Sequence, residues 1–167
     1  MRLRSFLVVV TLVVIAVVLQ TTLFSQTSLF IPDLVMLLVI VLAMTRTRSE
    51  LVLGLAFLSG LTLDLLGSSV LGLRAIVFTV VGFVAIRTRD RAEIGRIVTG
   101  VWAAALTFGG VVLLLIVGTL FGQTVLLGEG ATSKVVLVPL ANLILAFAFA
   151  PFLVRLIDRD STAFRYT

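Results

Sequence analysis

Long apolar runs separated by short polar breaks organise this chain. Residues 6–19 are apolar except for Thr11, and the run continues into Gln20-Thr21-Thr22-Leu23-Phe24. The pattern predicts a first helix over about 6–24, close to the roughly 20 residues a membrane span requires. The basic leader Met1-Arg2-Leu3-Arg4 suits a signal peptide, but no Ala-x-Ala-like cleavage site follows, so the segment reads as an uncleaved helix. After Ser25-Gln26-Thr27-Ser28, Phe30-Ile31-Pro32-Asp33 leads into the run 34–44. Proline is favoured at the first helical position, and an acid in the first turn complements the positive end of the helix dipole. Pro32 and Asp33 therefore start a second helix, 29–44, short enough to need residues 29–31 or a locally thin bilayer.

The charged turn 45–50 precedes a third helix over 51–66. The tetrapeptide Gly67-Ser68-Ser69-Val70 then turns the chain into a fourth helix over 71–86. The most charged stretch, 87–96, leads to a fifth helix over 97–121. A polar connection with Gly122, Gln123, Gly128, Glu129, Gly130 and Lys134 leads to a sixth over 135–157, begun by Pro139 and kinked by Pro151 near its far end. The tail is polar. No repeat, linker or loop large enough for a soluble unit interrupts the pattern, so residues 1–167 read as one transmembrane domain.

Composition sharpens this. Hydrophobic residues make up 60% of the 167 positions and the mean hydropathy is +1.29, against about 45–50% apolar in soluble domains. The expected fold class is an all-α integral membrane protein with six transmembrane helices. Cys and His are absent, which removes disulfides, thiolate and imidazole chemistry and the commonest metal sites. The net charge of +5 does not point to nucleic acid, because the basic residues lie between apolar segments rather than in a patch with interleaved aromatics. They report topology instead. With the N-terminus cytoplasmic, the inner segments hold Arg2, Arg4, Arg46, Arg48, Arg87, Arg89, Arg91, Arg96, Arg155, Arg159 and Arg165, eleven of the thirteen basic residues. Six spans then put the C-terminus inside as well. Trp102 falls at the level of the inner aromatic belt, and the arginine-rich segments attract anionic lipids of the inner leaflet.

Ionisable groups inside apolar helices are costly in lipid, so each one asks for a partner. Asp64 precedes the Gly67–Val70 turn and Arg74 follows it, which brings the two within reach across a short hairpin. Two readings stand: a structural ion pair or a snorkelling arginine, and a polar docking point for a partner's membrane helix. Asp33 reads first as a helix cap, at a level where it joins Asp64 and Arg74 in one polar cluster. Asn142 reads as a hydrogen bond to a neighbouring helix. Gly54, Gly60, Gly67, Gly72 and Gly82 are candidate helix-packing positions, as are Gly109, Gly110 and the pair Gly118 and Gly122, because glycine lets helices approach closely in lipid. Asp33 and Asp64 have no accompanying base, metal-ligand set or phosphate loop. No enzyme and no cofactor is expected.

Phe30-Ile31-Pro32-Asp33-Leu34, then Gly60-Leu61-Thr62-Leu63-Asp64-Leu65-Leu66-Gly67-Ser68, then Leu71-Gly72-Leu73-Arg74-Ala75 resemble the rod shape-determining protein MreD family. The specific part is Leu63–Leu66 with Leu71–Ala75; the other helices match as hydrophobic segments. The resemblance implies a bacterial cytoplasmic-membrane component of the cell-elongation machinery. It implies MreC as partner, with MreB, RodA and a class B penicillin-binding transpeptidase in the same assembly, and a role in regulating lateral peptidoglycan synthesis. It also implies a bundle similar to the S-components of energy-coupling-factor vitamin transporters, which supplies a rival function. An S-component should carry an Ala-x-x-x-Ala coupling patch on its first helix; here Ala16 is the single alanine among valines and leucines.

Overall fold

The computed structural model describes residues 3–22, 33–44, 48–67, 70–92, 96–122 and 136–148. These form helices α1 (Leu3–Thr22), α2 (Leu34–Met44), α3 (Ser49–Leu66), α4 (Leu73–Ala92) and α5 (Arg96–Leu120), followed by α6 (Val136–Ala148). No strand occurs among the described residues. Two of the helices, Ser49–Leu66 and Gly100–Leu120 within α5, are long and apolar enough to cross a membrane.

The helix ends follow local chemistry. Asp33 sits just ahead of α2, not in its first turn: its carboxylate Oδ1 accepts the Met36 N–H at 3.0 Å, the N-cap arrangement. Glu50 lies in the first turn of α3, where the helix dipole favours an acid. The fourth helix begins two residues later than the apolar pattern indicated, because Gly72 has φ +89° and ends the turn. It also runs on through the arginine-rich stretch as far as Ala92, where the sequence suggested a loop. Three contacts hold that extension. The Thr88 hydroxyl donates to the Val84 carbonyl at 2.6 Å, the Arg87 guanidinium lies 5.3 Å from the centre of the Phe83 ring, and Trp102 Nε1 of α5 donates to Thr88 Oγ1 at 2.9 Å. Pro139 lies in the described part of α6. Pro151 lies outside the described residues, as do residues 23–24, 29–32, 135 and 149–157 of the expected helices.

α2 is the axis of the bundle. Every residue from Val35 to Ala43 is buried, and α1, α3, α4 and α5 pack around it. A helix that is apolar on all faces has this position available in a bundle. The closest helix pair is α3 with α4, antiparallel neighbours joined by the short turn. The outer surface of the bundle is itself apolar: Leu58, Leu65, Leu66, Ile76, Ile116 and Leu120 all point outward. Apolar surface on this scale is incompatible with water. Against lipid, packing contacts and interhelical hydrogen bonds hold helices together, since hydrocarbon tails are as apolar as leucine.

Candidate functional site

The α3–α4 turn brings Asp64 and Arg74 together. The Asp64 side chain is fully buried, whereas Arg74 is one-third exposed. Asp64 Oδ2 accepts the backbone N–H of Arg74 at 2.9 Å, while its Oδ1 lies 3.9 Å from Arg74 Nε. The shorter contact is to the helix, not to the guanidinium. Gly72 is the N-cap of α4, its carbonyl accepting from Ile76 N at 3.0 Å, and a glycine has no side chain with which to cap the next N–H. Asp64, from the last turn of α3, supplies that missing cap. A carboxylate there satisfies an orphan donor and meets the positive end of the α4 dipole. Such a charge-assisted bond contributes about 1.5–3 kcal/mol, more than an ion pair at the edge of contact range with a partly exposed arginine.

Glycines permit this approach selectively. A Cβ on Gly60 would lie 2.7 Å from Ala75 Cα and N and from Arg74 C, so the α3 and α4 backbones nearly touch there. On Gly82 it would meet Val39 Cγ1 of α2 at 3.2 Å. Gly110 would meet Met36 Sδ at 2.8 Å and Val81 Cγ2 at 2.9 Å, both side-chain atoms. The remaining candidates do other things. Gly67 ends α3 in an extended conformation, its N–H donating to the Leu63 carbonyl. Gly72 makes the turn through its positive φ, and no atom lies within 4 Å of a Cβ built on Gly54 or Gly109.

A second polar group lies at the start of α2. Asp33 Oδ1 accepts from Gln20 Nε2 of α1 at 3.2 Å as well as from Met36 N, and Gln20 Oε1 accepts the Val35 N–H at 3.1 Å. Asn142 of α6 donates through Nδ2 to the Asp33 carbonyl and to Thr107 Oγ1 of α5, each at 3.2 Å. Thr107, near the middle of α5, passes its own proton to the Ala103 carbonyl at 2.8 Å. Four helices thus meet through three side chains and one helix end. Among the described residues the Asp33 carboxylate bonds to Gln20 and Met36 and to neither Asp64 nor Arg74. Sequence reasoning missed Gln20 and Thr107. Their signal was a polar residue inside an apolar run, and threonine gives that signal weakly because its hydroxyl can bond its own helix.

Beside α3, on the face away from α4, a groove of about 620 Å³ opens between α1 and α3. Val10, Val14 and Val17 form one wall, Leu51 and Leu58 the other, with Gly54 between them. Ser59 and Thr62 border it, but their hydroxyls donate to the carbonyls of Ala56 and Leu58 in their own helix. The groove is therefore apolar in effect. On the α3 side it runs from Leu51 to Leu66, about 22 Å at 1.5 Å per residue.

The carboxylates are consumed as helix caps, and no three potential metal ligands of the His, Cys, Asp or Glu type come together among the described residues. The apolar exterior, the all-helical bundle and polar groups spent on helix ends and helix contacts define a small structural membrane protein. A family model described as rod shape-determining protein MreD matches residues 1–159. The chain belongs to the rod shape-determining protein MreD family, a membrane family, and its role is in the determination of rod shape. No curated protein and no solved structure matches it.

Proposed function

We propose that this protein is a non-enzymatic scaffold of the bacterial cell-elongation complex in the cytoplasmic membrane. It spans the membrane six times with both termini inside, binds the transmembrane helix of MreC, and through the assembly with RodA, a class B transpeptidase and MreB helps regulate lateral peptidoglycan synthesis. Family membership supplies the frame; the observation that carries the binding step is the α1–α3 groove. Its length suits a helix lying along it, and its glycine floor leaves room for a partner side chain. In lipid such a contact is held by shape and dispersion with few polar terms. Arg74, partly exposed at the turn end of the same helix hairpin, offers one polar contact at the rim. Arg48, Arg87 and Arg89, at the opposite helix ends, hold the protein against anionic inner-leaflet lipids.

Gly54 gives a clean test, because a Cβ built there meets nothing in the chain itself within 4 Å. Gly54→Leu should leave the amount of protein in membranes unchanged and reduce the MreC that co-purifies in mild detergent at least tenfold, while Gly54→Ala retains most of it. Undiminished MreC retention in Gly54→Leu sinks the groove as the binding surface. Co-purification of an ATPase pair with a large membrane subunit, in place of MreC, would favour the transporter reading.

A further inference from the structure

The α1–α3 groove has shape but no direction of its own. Among the described residues none that lines it is charged, and its two hydroxyls bond within α3. An apolar helix can slide along such a surface, since the hydrocarbon outside is just as apolar. The exception stands at the groove's end. Glu50, Gly54, Leu58 and Thr62 follow one another at intervals of four and form a single ridge of α3. The last three line the groove. Glu50 continues the ridge one turn beyond Gly54, next to Leu51, the groove's end residue on this helix, and it is exposed. Arg48 does not share that ridge: its row continues into Val52 and Ala56, which are buried.

We propose that Glu50 is the docking point for a lysine or arginine on the cytoplasmic flank of the single-span helix that occupies the groove. This contact sets the depth and direction of that helix. The inference rests on the proposed reading of groove and topology, in which the Leu51 end is the inner one. Charge complementarity selects the occupant. The cytoplasmic flank of a membrane span is enriched in Lys and Arg, so a helix entering from that side brings the opposite charge to Glu50 at the right level. A helix running the other way would leave Glu50 opposite a flank without that bias. A phospholipid would bring its phosphate to the carboxylate, like charge against like. A second copy of this chain fares no better. A two-fold axis along the membrane normal sets identical residues at one depth, so two Glu50 side chains would face each other.

The test uses the full-length protein co-purified with MreC in mild detergent. Glu50→Lys should leave the protein level unchanged, because the residue is exposed and a lysine there keeps the positive-inside bias. MreC retention should fall roughly fivefold, the scale of an exposed ion pair turned into a repulsion. Changing the facing basic residue of the MreC flank to glutamate should restore it, which damage to α3 could not explain. Glu50→Gln, which decides if the lysine variant does not accumulate, should remove the salt dependence of retention that the unsubstituted protein shows. Unchanged retention in Glu50→Lys, a fall that no single flank substitution restores, or salt dependence kept in Glu50→Gln overturns the inference. Where Gly54→Leu still releases MreC, the groove reading survives that failure; where neither variant releases it, both readings fall. Phospholipid or a differently tagged second copy, held by the unsubstituted protein and lost in Gly54→Leu with MreC unaffected, also overturns the inference.

Discussion

Gly60→Ala is the smallest change that attacks the α3–α4 hairpin, and its size can be worked out. The added methyl carbon would lie 2.7 Å from three backbone atoms of Arg74 and Ala75, and ordinary contact begins at 3.4 Å. The two helices must therefore separate by about 0.7 Å, the difference between those distances. Backbone cannot rotate aside as a side-chain tip can. Overpacking of this kind costs about 1–3 kcal/mol. The same displacement stretches the 2.9 Å bond from Arg74 N–H to Asp64 one turn further along. Losing that bond adds about 1.5–3 kcal/mol, so the expected total is about 2.5–6 kcal/mol. Gly54→Ala is the control on the same helix: nothing lies within 4 Å of its Cβ, and alanine improves helix propensity by up to about 1 kcal/mol. Trp102 is the only tryptophan in the chain, so its fluorescence reports unfolding in detergent without a label. Gly60→Ala should lower the midpoint of denaturation strongly and Gly54→Ala should not. Equal stability of Gly60→Ala and the unsubstituted protein would refute the close backbone approach and the capping argument built on it.

Two further outcomes follow from the same contacts. If Asp64 acts mainly as the cap of α4, Asp64→Leu should destabilise by about 1.5–3 kcal/mol, while Arg74→Gln, which removes only a 3.9 Å contact to a partly exposed group, should cost under about 1 kcal/mol; equal losses in denaturant titrations would restore the ion pair as the main term. Gln20→Leu deletes the bond to Asp33 and the acceptor of the Val35 N–H together. It should cost about 1–3 kcal/mol and raise maleimide labelling of a Val39→Cys reporter, which needs no background correction in a chain without cysteine; unchanged labelling would show that α2 does not depend on this tie.

The residues that sequence reasoning could place were those whose cost in lipid is large. Asp64 and Arg74 announce themselves as charges in apolar helices, and a short turn can only bring them together. What could not be read was the division of labour. The pairing of carboxylate with guanidinium looked symmetrical in the sequence, but Gly72 leaves α4 without a cap and draws Asp64 to the backbone. Glycines were equally ambiguous. Gly54 and Gly60 lie six residues apart on one helix with similar neighbours, yet one faces an open groove and the other touches a backbone. That difference depends on the rotation of α3 about its axis, which a helix apolar on several faces does not encode in its pattern. Helix ends were misread where polar residues lay on a continuing helix, as in residues 87–92, because arginine is a good helix former as well as a topology signal.

α2 shows what replaces the missing pattern. An eleven-residue helix is about 16 Å long, and its residues 35–43 are buried without distinction of face. Nothing in such a sequence specifies rotation or depth, and hydrocarbon offers no gradient that would. Two kinds of contact remain to fix it. Small residues on neighbours set the distance: Gly82 and Gly110 receive Val39 and Met36, where larger residues would push α2 away. Directional bonds set the register, and those through Gln20, Asp33 and Asn142 act at its start. A central helix held by shape along its length and by hydrogen bonds at one end can be fixed firmly without any exposed polar surface. That leaves the periphery, the α1–α3 groove included, free to be apolar and to meet other membrane helices, as a structural role in a membrane assembly requires.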